Sequence, residues 1–113
     1  MLQIDKARAA RIAALNDSLR ITFSGGRVTQ TPSIAALPSE TRSKVLETVH
    51  YFKDFNETND AFHEHDCAVF EVDGEAYMFK IDCYDLDMKC ESPDPTDPTQ
   101  TLRILTIMMA TEY

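Results

Sequence analysis

Apolar and polar positions alternate most cleanly in two runs, Cys67–Val72 and Glu75–Tyr84, either side of Asp73-Gly74. That dipeptide favours a two-residue hairpin turn, because both central residues need positive φ. Pairing across it sets Val72 opposite Glu75, Phe70 opposite Tyr77 and Ala68 opposite Phe79. One face then carries Ala68, Phe70, Val72, Tyr77, Phe79, Ile81 and Cys83, apolar enough to be the core side. The other carries Cys67, Val69, Glu71, Ala76, Met78, Lys80 and Asp82 and is partly wet. Leu102–Met109 is apolar on both faces, which predicts a strand in a central position.

Ahead of the hairpin the period lengthens. Ile4, Ile12, Leu15 and Leu19 recur near helical spacing among five alanines, which predicts a helix over 4–19 ending before Gly25-Gly26. Arg27 to Thr31 reads as a short edge strand ended by Pro32. Val45, Val49 and Phe52 follow i, i+4, i+7, with Pro38 suited to a first turn, so a second helix is expected over 38–54. Asn56 to Asp66 is polar and irregular. Asp85 to Gln100, with Pro93, Pro95 and Pro98, is expected to be a loop without regular structure. The order predicts a single α+β domain over 1–113, with two helices packed on one face of a mainly antiparallel sheet of three to four strands.

Charge changes this picture. Residues 1–53 hold 8 Lys/Arg against 4 acids, whereas residues 54–113 hold 3 bases against 15 acids, for a net charge of −8. A direct nucleic-acid binder should be basic over the domain, so the chain is not expected to bind nucleic acid itself. An acidic face instead attracts basic proteins or cations, or imitates a phosphate backbone. Ordinary solubility is the plainer account of the same acidity. No apolar run is long enough to span a membrane, and the start, Met1-Leu2-Gln3-Ile4-Asp5, does not read as a signal peptide. Three cysteines without paired spacing fit a reduced, cytoplasmic setting.

His63-Glu64-His65-Asp66 is the most chemical stretch. On an extended segment His63 and His65 point the same way, and the hairpin register brings Asp82 opposite His65. His65, Asp66 and Asp82 are therefore candidate metal ligands, short of the four that a structural zinc site wants. The blander account has His65 and Asp66 bonding backbone groups at the entry to the hairpin. No cofactor other than a divalent metal at this cluster is called for. Asp82, Asp85 and Asp87 lack the Gly and closing Glu of an EF-hand. Asp17 pairs with Arg20 at i, i+3, or else Arg20 reaches an anion beside Gly25-Gly26. Nothing marks Cys67, Cys83 or Cys90 as a nucleophile.

Leu15-Asn16-Asp17 with Arg20, Gly25-Gly26, Asn59-Asp60, Glu64-His65-Asp66, Lys80-Ile81-Asp82 with Tyr84-Asp85, Ser92-Pro93-Asp94-Pro95 with Asp97-Pro98, and Arg103 to Met108 with Glu112-Tyr113 occur in one order. That ordered set resembles the bacterial "domain of unknown function 3768" family over nearly the whole chain. Ala61, His63, Cys67, Phe79 and Cys83 depart from its pattern, so His63 is given no family-wide role. The resemblance implies no activity. It implies a small accessory protein of plasmids, integrative elements and phages, found among anti-restriction genes.

Three functions are therefore weighed. The leading one is a non-enzymatic protein of a mobile element that binds and inhibits a basic, nucleic-acid-binding host complex of restriction or CRISPR type. Its contacts would come from Asp60, Glu64, Asp66, Asp82, Asp85, Asp87, Asp94 and Asp97. The second is a small metal-dependent hydrolase using His65, Asp66 and Asp82. The third is a purely structural or self-associating domain, for which Leu102–Met109 would be a dimer edge if that strand were exposed; a monomer or a homodimer is expected.

Overall fold

A computed structural model describes residues 4–113; the reading of Met1 to Gln3 as no leader lies outside them. The elements run α1 (Lys6–Thr22), β1 (Arg27–Gln30), α2 (Pro32–Ala35), α3 (Ser39–Tyr51), β2 (Cys67–Val72), β3 (Glu75–Tyr84) and β4 (Leu102–Met109), with 3₁₀ turns at Pro98–Gln100 and Ala110–Glu112. The four strands make one sheet in the order β1-β4-β3-β2. The fold is α+β, with the helices against one face of a sheet that is antiparallel except for the parallel β1–β4 pair.

The hairpin forms as its alternation requires. Val72 faces Glu75, Phe70 faces Tyr77 and Ala68 faces Phe79; Asp73 (φ 52) and Gly74 (φ 83) both take the left-handed conformation of the turn. Ala68, Phe70, Val72, Tyr77, Phe79 and Ile81 are buried under the helices, while Cys83 is half-buried. Leu105 and Ile107 of β4 join them, with Leu19, Ile34, Val45 and Val49 from the helices. β4 lies inside the sheet, bonded to β1 on one side and β3 on the other. The exposure that would make Leu102–Met109 a dimer edge is therefore not met, since β3 pairs along the whole length of β4 and β1 along Ile104–Ile107. Arg27–Gln30 does join the sheet, as an outer strand.

Other differences have local causes. Asp5 caps α1 by accepting from the Arg8 N–H at 3.0 Å. The helix continues to Thr22 and stops at Phe23, a left-handed residue (φ 54) whose N–H returns to the Leu19 carbonyl. Its buried side is Ala9, Ile12, Ala13, Asn16, Leu19 and Arg20; the expected stripe is rotated because two polar side chains occupy core positions. Pro32 ends β1 as expected but also opens the short α2, whose Ile34 is fully buried. Pro38 caps α3 rather than entering it, and α3 ends at Tyr51 because Phe52 turns extended. The Pro-rich segment is also more ordered than expected. It holds the Pro98–Gln100 turn and a bridge from Glu91 to Tyr84.

Candidate functional site

β3 has ten residues and β2 only six, so Ile81–Tyr84 run past the start of β2. The edge exposed there is taken up again at its far end, where Ser92 N–H donates to the Cys83 carbonyl and Glu91 bridges Tyr84. Between Asp66 and Glu91 this leaves a cleft of about 460 Å³ walled on the other side by α1. Glu64, Asp66, Asp82 and Glu91 line it, against one guanidinium, Arg8.

A buried pair fastens the walls. Arg103 of β4 donates through Nε to Asn16 Oδ1 at 2.9 Å, and its terminal nitrogen donates to the Pro95 carbonyl. Asn16 Nδ2 in turn donates to the Glu64 carbonyl at 2.9 Å. One arginine and one asparagine thus tie α1, the 52–66 loop and the Pro-rich loop around the cleft. The polar core positions of α1 are explained by these partners, which lie far along the chain.

The acids perturb one another. Burial raises the Glu64 carboxyl, with Asp66 repulsion adding and Arg8 opposing. Burial likewise raises Asp66; its own and Cys67's N–H groups pull the other way, while Asp60 and Asp82 add to the rise. Burial pushes the Cys83 thiol in the cleft wall up, with Arg103 opposing, which disfavours its thiolate. Asp82 is partly neutralised by Lys80 at 2.8 Å, whose pKa that hydrogen bond raises. The arrangement suits a cationic guest, since a guest bringing positive charge relieves the repulsion.

The remaining candidates separate. Asp60 is buried rather than surface; it accepts from the His65 N–H at 3.0 Å and stands 3.5 Å from His65 Nε2. Its removal from the partner-binding set follows from that burial. Asp85 folds a turn by accepting from Lys89 N–H, and Asp87 beside it is exposed. Asp94 accepts from the N–H and hydroxyl of Thr96; Asp97 accepts from Gln100 Nε2 and from Thr99. Those bonds hold both carboxyls below the usual range, so they stay charged while bracing the loop.

His65, Asp66 and Asp82 are not brought together as ligands. His63 (φ 60) and His65 (φ 54) are left-handed rather than extended. The His65 ring stacks on Phe55 at 4.0 Å and its Nδ1 meets both Asp17 oxygens at 3.0 Å, away from Asp82. Among the described residues no three His, Cys, Asp or Glu side chains are grouped to hold a metal ion. Arg20 is equally committed. It is buried, pairs with Asp17 at 2.7 Å, and donates to the Val49 and Phe52 carbonyls at 3.1 and 2.6 Å. Both terminal nitrogens are thus spent, and among the described residues Nε is buried without a partner, so no solvent-facing nitrogen is left for an anion beside Gly25-Gly26. Arg8, Asn16 and Glu91 are cleft residues absent from the expected site; only the polar interruption of the helical stripe pointed to Asn16, and only the general acidity of the second half to Glu91.

Among the described residues no helix is long and apolar enough to cross a membrane. A family model described as "Protein of unknown function (DUF3768)" matches residues 30–112. No curated protein and no solved structure matches the chain.

Proposed function

We propose, given that the chain belongs to the DUF3768 family, that it is a binding protein whose acidic cleft docks on a basic, nucleic-acid-binding partner. The observation that carries this is the convergence of Glu64, Asp66, Asp82 and Glu91 on one cleft, with a single arginine among them. Glu64 and Asp66, part-buried and repelled by neighbouring acids, are a liability to the free protein, and a guest lysine or arginine side chain relieves it. Asp85 and Asp87 extend the negative surface from the cleft along the next turn, which steers a basic partner inward. The partner class fitting the chain's resemblance to accessory proteins of mobile elements is a host restriction or CRISPR complex, inhibited because its nucleic-acid surface is covered. The role requires no catalysis and places the protein in the cytoplasm with its partner.

Charge reversal tests this. Glu64, Asp87 and Glu91 are the positions to reverse, because Asp94 and Asp97 brace their loop. The triple variant is expected to keep its circular dichroism and melting temperature and to lose binding to an oligoarginine peptide. Nucleic acid added in excess is expected to compete the wild-type protein off its captured host complex. Unchanged peptide affinity in the triple variant refutes the reading.

A further inference from the structure

The hydrogen-bond register of β2 determines which of its backbone groups face outward. β2 is the outer strand on its side of the sheet. Ile81 N–H donates to the Asp66 carbonyl at 2.6 Å, making 66 and 81 a hydrogen-bonded antiparallel pair. Such pairs alternate along a ladder, so Ala68/Phe79, Phe70/Tyr77 and Val72/Glu75 are bonded as well. The N–H and C=O groups of Val69 and Glu71 then point to the open side, and among the described residues nothing bonds them. Outer strands are commonly blunted by lysine, proline or a bulge. Cys67–Val72 has none of these, and its central Val69 side chain is 57% exposed.

α3 stands back from this edge. Lys44, Thr48 and Tyr51, one helical face, form one wall of a groove of about 610 Å³, and Glu71 and Val72 form the other. Tyr51 is 72% exposed above it. Lys44 is held by Asp73 at 3.2 Å. Glu47, Asp54 and Glu71 line the groove without an ion-pair partner among the described residues, against Lys53 alone. The groove runs by the hairpin end of β2, whereas the acidic cleft lies beyond its start.

We propose that the β2 edge and α3 together take an extended peptide segment of a partner protein, added antiparallel or parallel to β2 as a fifth strand. Main-chain hydrogen bonds from Val69 and Glu71 hold the segment, and its side chains alternate between the α3 groove and the Val69 face. The uncompensated acids select lysine or arginine on the groove side. The inference goes beyond the cleft and stands without it, since it rests on backbone register.

The probe is a synthetic peptide of alternating valine and lysine, added to the full chain and followed by amide hydrogen exchange. Exchange at Val69 and Glu71 is expected to slow roughly tenfold or more while the protein stays monomeric by native mass. Val69→Pro removes an outward N–H, which an edge strand tolerates, and is expected to abolish that protection. The same peptide N-methylated at alternate residues is expected not to protect wild-type protein, a result that needs no variant to fold. Reversal of Glu64, Asp87 and Glu91 is expected to leave the protection in place. Exchange unchanged at saturating peptide, protection that survives N-methylation, or protection that appears only with doubling of the mass through β2–β2 pairing each overturns the proposal.

Discussion

Replacing Arg20 with methionine removes a buried guanidinium and keeps most of its volume. The side chain is almost fully buried, and four oxygens depend on it: those of Val49, His50 and Phe52 and the Asp17 carboxylate. Its carbon also lies 5.4 and 5.5 Å from the Phe55 and Phe79 ring centroids. In Arg20→Met the carbonyls ending α3 lose their donor, and each buried acceptor left unpaired costs about 1–3 kcal/mol. Three such carbonyls sum to about 3–9 kcal/mol; the lower part of that range is expected, because the substitution also removes the buried, unpartnered Nε, and about 3–5 kcal/mol matches the cost of removing one partner from a buried charged cluster. In a domain of this size that loss lowers Tm by about 12–20 °C. Urea unfolding followed by tyrosine fluorescence and circular dichroism reads it directly, since the chain has no tryptophan. Arg20→Lys is expected to recover only part, because an ammonium cannot fork to several carbonyls. Asp17→Asn, at a side chain 31% exposed, is expected to cost under about 1 kcal/mol. A loss below about 1 kcal/mol in Arg20→Met refutes the reasoning.

Two further substitutions follow from the structure. A Cβ at Gly26 meets the Arg103 carbonyl oxygen at 2.5 Å, a backbone atom that cannot step aside, so Gly26→Ala is expected to cost about 1–3 kcal/mol by overpacking β1 against β4, read as a shift in urea midpoint; an unshifted midpoint counts against that close approach. The raised Asp66 and Glu64 carboxyls mean that the folded chain holds its protons to higher pH than the unfolded chain does. Their contribution to stability is full below the ordinary carboxylate range and is lost as pH rises through the folded values. Asp66→Asn is therefore expected to match or slightly exceed wild type at neutral pH, by a fraction of ~1 kcal/mol, with the difference fading or reversing on acidification; a variant weaker than wild type at neutral pH shows the carboxylate to be stabilising.

Local patterns carried the hairpin and the central strand. Asp73-Gly74 and the two-residue alternation act over neighbouring positions, so the register was readable to the residue. α3 was readable from Val45 and Val49, though its end was not, since Phe52 turns out where Arg20 and the loop gather. The errors cluster where meaning is non-local. Asn16 bonds the Glu64 carbonyl 48 positions away, and Arg103 bonds Asn16 across 87. Periodicity treats both as misfits on a helix or strand. Asp60 looked like a loop charge until its burial against the left-handed His65 was seen. The negative charge of the second half was legible as composition; the convergence of four carboxylates depended on β3 outrunning β2, which no local signal announces.

The most direct measurement of the central claim is the affinity of the full chain for oligoarginine by titration calorimetry at low and high salt, beside the Glu64, Asp87 and Glu91 charge-reversal variant. A cleft that receives cationic side chains predicts binding that weakens with salt and is lost in the variant while the variant's melting temperature holds. Equal affinity for the two proteins, or binding indifferent to salt, contradicts it.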